Sequence, residues 1–153
     1  MRSFLTALLF LVADPGWAAD GFDITKIRAH LFYERSGTLS DDVLVTKPTF
    51  WNTVIGEGDV PEPASNVLVV VELKGAGGDV STETPLVIEV LADNEGWKRV
   101  ARKSFNFLYT VPGRSPTIAH AVWAENVTCS PLRIIATHGQ DKMQAEVPFR
   151  CGE

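Results

Sequence analysis

The sequence predicts an all-β protein, a two-layer antiparallel sandwich of about seven strands, and three observations predict it. Apolar residues recur at every second position in several segments. That is the period of a strand with one face in a core and the other toward water. The breaks between these segments are rich in Gly, Pro, Asn and Asp, the residues that sharp turns favour. No segment sustains the 3.6-residue apolar period of a helix. Strands without helices, over about 135 residues once a leader is set aside, fit an immunoglobulin-like layout. A small closed barrel is the alternative.

Taken in order, "ITKIRAHLFYE" reads as a long first strand with Ile27, Ala29, Leu31 and Tyr33 on one face. "VLVTK" is the next strand-like piece. "NVLVVVELK", Asn66 to Lys74, sets Val67, Val69, Val71 and Leu73 inward. "PLVIEVLA" does the same with Leu86, Ile88 and Val90. "WKRVARKSFNFLY" changes its apolar parity between Val100 and Phe105, which predicts an irregularity such as a bulge. "TIAHAVWAE" is apolar on both faces, so alternation does not choose its buried side. "PLRIIAT" and "KMQAEVPFR" form the last pair, with Leu132, Ile134 and Ala136 facing Met143, Ala145, Val147 and Phe149. A shared face requires paired residue numbers to have an odd sum, and a two-residue Gly139-Gln140 turn makes that sum 279. Cys129 and Cys151 sum to 280, so Cys129 is expected in the connection before the strand, near Ser130-Pro131.

Residues 1–19 read as a secretory signal peptide. Arg2 supplies a positive start, "FLTALLFLVA" an apolar run too short to span a bilayer, and "DPGWAA" small residues for cleavage, with Gly16 and Ala18 in place. Residues 20–153 then form one domain, large enough to bury a core. Losing Arg2 and Asp14 leaves the formal charge at −5. An exported chain with two cysteines is expected to join them, Cys129 to Cys151, closing a loop that contributes roughly 3 kcal/mol in the loop-entropy account.

Composition and motifs exclude more than they assign. The acidic balance and the lack of a basic, aromatic-rich tract argue against a nucleic-acid partner. "KRVARK" is the one basic cluster, and it alternates like a solvated strand face. No further apolar run is long enough for a membrane span. There is no GxSxG and no phosphate-binding glycine loop, and His30, His120 and His138 stand in no metal or triad spacing. His138, beside the "GQD" turn, reads as a solvated turn histidine and Met143 as a core residue, in preference to copper ligands. Asp41, Asp42, Glu57 and Asp59 read as solvated loop acids in preference to a calcium site. No cofactor and no metal are expected.

Candidate binding residues come from aromatics and from one long connection. Trp123 or Trp51 would serve as the buried tryptophan of a sandwich, and Trp97, beside the "DNEG" turn, is expected at the surface. Between Glu34 and Asn66 about thirty residues hold little strand signal. Connections of that length inside a domain are functional or disordered, and Phe50, Trp51, Val54 and Ile55 give this one something to bury. One reading has Phe50 and Ile55 closing an end of the sandwich, with Asn52, Glu57 and Asp59 at the rim. The other has Trp51, Asn52, Glu57 and Asp59 lining a groove that a partner enters.

The "FWNTVIGEGD" segment, the terminal "RCGE" and the leader together make the chain similar to small uncharacterised exported proteins of Gram-negative bacteria. That resemblance carries no known activity or site, so nothing about function is transferred from it. The expected function is a non-enzymatic periplasmic module that binds a protein through the long connection or a sheet edge, where strand addition is the natural mode. The alternatives are a glycan or small-ligand binder stacking on Trp97 or Trp51, and a hydrolase.

Overall fold

The computed structural model describes residues 21–49, 60–127 and 130–149. Seven strands carry the fold: β1 (Asp23–Tyr33), β3 (Asn66–Lys74), β5 (Leu86–Asp93), β6 (Trp97–Phe105), β8 (Thr117–Ala124), β9 (Leu132–His138) and β10 (Asp141–Val147). Three two-residue pieces accompany them: β2 (Thr38–Leu39), β4 (Val80–Ser81) and β7 (Leu108–Tyr109). All pairings are antiparallel. One sheet has the order β2-β1-β3-β8, a second β10-β9-β5-β6, and β4 pairs with β7 as a ribbon.

Alternation does what the sequence predicts. In β3 the residues Val67, Val69, Val71 and Leu73 have no exposure, and in β5 the same holds for Leu86, Ile88 and Val90. Leu31 and Ala29 of β1 and Leu132, Ile134 and Ala136 of β9 complete a single core fed by both sheets. Full burial of one such aliphatic side chain is worth about 1.5–3 kcal/mol, so the inner faces supply most of the driving force for folding. The last hairpin has the derived register: His138 pairs Asp141, Ala136 pairs Met143 and Leu132 pairs Val147, around Gly139 at φ 58°. A positive φ at the first turn position suits the twist of a tight hairpin. The irregularity of the basic strand is a bulge, because Val90 pairs Ala101 while Leu91 pairs Arg99, which leaves Val100 unpaired. A second bulge, at Thr25, was not expected.

Three expectations are corrected. "VLVTK" is a helical turn, α1 (Val43–Thr46), not a strand. Its β-branched residues favour extension, but the Asp42 carboxylate accepts from the Leu44 N–H, and Lys47 closes the turn in the left-handed region at φ 47°. Trp123 is not the core tryptophan; it is 43% exposed on the outer face, edge-on to Phe32 at 5.5 Å. His138 is not solvated. It is 3% exposed, and Phe22 meets its ring edge-on at 6.2 Å. The cause is parity: β9 faces the core at residues 132, 134 and 136, and the next even position is His138.

Cys129 and Cys151, with the leader and the segment 50–59, lie outside the described residues. The strand after Cys129 starts at Leu132, past Pro131. Among the described residues no helix is long and apolar enough to cross a membrane.

Candidate functional site

An open antiparallel sheet ends in edge strands whose unpaired N–H and C=O groups will pair with any extended chain unless something prevents it. Here the edges differ. On β1 three outward amides are occupied by side chains. Ile24 N–H donates to Asp141 Oδ2 (2.6 Å), Ala29 N–H to Asp42 Oδ1 (3.1 Å) and Leu31 N–H to Ser40 Oγ (2.9 Å). The Leu31 carbonyl accepts from Ser40 N–H at 2.9 Å. On β6 the edge carries Lys98, Arg99, Arg102 and Lys103 and is broken by the bulge at Val100. On β10 it carries Asp141, Lys142 and Glu146. Charges, bulges and side-chain caps are the devices that keep edges from pairing.

Among the described residues strand β8 has none of them. "TIAHAVWA" is eight residues without an Asp, Glu, Lys or Arg, it pairs with β3 along one side only, and no bulge interrupts that pairing. Its inward residues are Ile118, His120, Val122 and Ala124, because Val69 pairs Val122 and Val67 pairs Ala124. This settles the side that alternation left open. Ala119, Ala121 and Trp123 occupy the outer face.

At the corner where β8 passes β6, the His120 ring lies 4.3 Å from the Phe105 ring, centroid to centroid, and Lys103 Nζ stands 5.0 Å from Phe105 on its own strand. Burial, reinforced by the Lys103 charge, holds the His120 imidazole below its ordinary value of 6.5. The unfolded chain therefore takes up the proton first as the pH falls. The stability linked to His120 is complete above about 6.5 and is lost as the pH drops through the lower folded value. His120→Gln is expected to flatten the fall in urea midpoint between neutral and mildly acidic pH. Parallel curves for the variant and the wild type would contradict this.

A second feature is a cleft of about 590 Å³ where β1 ends and the long connection begins and returns. Tyr33, Ser36, Ser40, Asp41, Lys47 and Glu62 supply its polar groups. Burial raises the Tyr33 phenol above its ordinary value, and the Glu62 and Asp41 charges add to that. Hydrogen bonds brace the rim. Glu34 Oε1 accepts from Ser65 N–H, Ser65 Oγ and Asn66 Nδ2, and the Ser65 bonds lower the Glu34 carboxyl. The Ser40 hydroxyl is committed to the backbone, donating to the Asp41 carbonyl and accepting from Leu31 N–H. Among the described residues no imidazole bonds a carboxylate or a serine hydroxyl: His30 Nδ1 meets the Ser40 carbonyl at 2.8 Å, and both His138 nitrogens lack partners.

The predicted site residues separate. Trp51, Asn52, Glu57 and Asp59 lie outside the described residues, although Pro48 and Val60 on either side line the cleft. Trp97 is half-buried on the outer face of the second sheet, and the Arg133 guanidinium lies 3.9 Å from its ring centroid, over one face. Asp42 is a capping residue of α1 and of the β1 edge. "KRVARK" is not one solvated face. Arg99 and Arg102 point outward to Glu89 at 3.1 and 3.3 Å, whereas Lys98 and Lys103, opposite inward Ala92 and Ile88, have the inward parity. The sequence signal for β8 was present as the absence of charge in a strand of that length. The choice of β8 as an edge needed the sheet order. No family model matches the chain, and no curated protein matches it.

Proposed function

We propose that the protein is an exported, immunoglobulin-like β-sandwich that works without catalysis, by receiving an extended segment of a partner protein at the β8 edge. One observation carries this reading: among the described residues β8 is a long, uncharged, uncapped edge, and the other long edges are charged, bulged or capped. Selection against accidental pairing explains blunted edges; a strand left open among them has a use. Trp123, exposed on the outer face of β8, supplies an aromatic anchor beside the backbone ladder. The leader at residues 1–19 accounts for export, and a Cys129–Cys151 bridge would stiffen the β9–β10 side of the sandwich while leaving β8 alone.

Site-specific photo-crosslinking in the producing cell tests the reading. A crosslinking residue at Ala119 or Ala121 of β8 is expected to trap a discrete protein adduct, whereas one at Lys142 of β10 is not. Equal capture at both positions, or none at β8, would refute strand addition at this edge.

A further inference from the structure

The open edge has a wall on one side, and the wall is charged. The first sheet ends at β8 and the second at β6, and where these two edge strands pass each other the inward-facing residues of β6 are only partly covered. Pairing fixes which residues those are: Phe105 opposite Leu86, Lys103 opposite Ile88, Ala101 opposite Val90 and, beyond the bulge, Lys98 opposite Ala92. Their burial follows from their place. Phe105 is half-buried against His120 and Ala101 is half-buried against the core, while Lys103 and Lys98 are exposed despite facing inward.

The two lysines also differ from their neighbours in charge balance. Arg99 and Arg102, on the outward face of the same strand, share the Glu89 carboxylate. Among the described residues no carboxylate lies within ion-pair distance of Lys98 or Lys103. A strand added beside β8 would run along this corner, next to the exposed lysines of β6, with every second side chain on the inward side of the sheet. Lys98 and Lys103 are five positions apart with one residue taken up by the bulge, so they stand roughly 13 Å apart along the strand direction, four strand steps at about 3.3 Å each.

We propose that the place beside β8 receives an acidic extended segment of another protein, one that pairs through its backbone with β8 and sets two carboxylates, four residues apart with a small residue midway, against Lys98 and Lys103. This rests on the strand-addition reading and adds the partner's chemistry to it. A second copy of the chain fits less well, because a dyad through β8 would bring the basic β6 strands of both copies together, like charge against like.

Three synthetic peptides serve as probes: Thr-Glu-Thr-Ala-Thr-Glu-Thr-Val-Thr, and the same sequence with both Glu replaced by Gln or by Lys. Binding is measured by titration, and its location by amide hydrogen exchange. The Glu peptide is expected to protect β8 amides and to bind about three- to tenfold more tightly than the Gln peptide, the range that two exposed ion pairs supply. The Lys peptide binds weakest. The advantage of the Glu peptide shrinks as salt is raised. In the Lys98→Glu, Lys103→Glu double variant the order of Glu and Lys peptides reverses, a result that loss of folding cannot imitate. Equal binding of all three peptides with β8 protected overturns the acidic partner and leaves strand addition standing. Protection elsewhere, or no binding, overturns the proposal. A dimeric mass with β8 amides already protected in the free protein also overturns it, by naming a second copy as the occupant.

Discussion

Truncating Phe149 to alanine is expected to cost about 3–5 kcal/mol, the range for removing a large aromatic from a filled core. Phe149 is 1% exposed and is among the bulkiest fully buried side chains. It lies just beyond the end of β10, where its N–H donates to the Val147 carbonyl at 2.9 Å. A domain of this size has about 5–15 kcal/mol of total stability, so the loss removes a large share of it. The urea midpoint should fall sharply with an unchanged m-value. A Phe149→Leu variant, which retains most of the volume, should recover much of the loss. A midpoint for Phe149→Ala close to wild type would mean that the core does not depend on this ring.

Replacing Asp42 with alanine is expected to have the second-largest effect. One carboxylate oxygen accepts both the Leu44 N–H that starts α1 and the Ala29 N–H on the β1 edge, each at 3.1 Å. Loss of a helix cap costs about 0.5–2 kcal/mol. An amide left unsatisfied beside a fully buried Ala29 adds about 1–3 kcal/mol. The combined loss is therefore about 1.5–5 kcal/mol. The second consequence is qualitative: the variant uncovers part of β1 and should self-associate in a concentration-dependent way. Asp42→Asn preserves the accepting oxygen and should recover most of both properties. An Asp42→Ala protein that is monomeric and as stable as wild type would show that the β1 edge needs no cap.

Much of this fold was legible because one face of each main strand is buried, and burial fixes parity. The bounds of β3, the core residues of β5 and β9 and the 279 register of the last hairpin all follow from alternation. The same rule, carried one step further, puts His138 inside; treating it as part of the turn stopped the count at Ala136. "VLVTK" was misread because residue propensity is weaker than one well-placed carboxylate, and Asp42 acts on Ala29, thirteen residues earlier in the chain. Trp123 lies in a strand with apolar residues on both faces, where only the pairing with β3 decides which is buried.

The candidate site was less legible for a related reason. "KRVARK" has the look of one solvated face, but the bulge at Val100 shifts parity within it, turning Lys98 and Lys103 inward while Arg99 and Arg102 stay outward. Nothing in the local sequence says that β8 and β6 each end a sheet and pass each other at one corner. That relation belongs to the order of strands, which is set by contacts between segments far apart in the chain.

The central claim is that, among the long edges of the described residues, β8 is the one open for pairing, and amide hydrogen exchange on the free protein tests it most directly. The account predicts slow exchange at Ile24, Ala29 and Leu31, whose amides are held by Asp141, Asp42 and Ser40. It predicts an alternating pattern along β8, slow where the amide bonds β3 and fast where it faces outward. Uniform protection along β8 in the monomer, or fast exchange at Ala29 and Leu31, would contradict it.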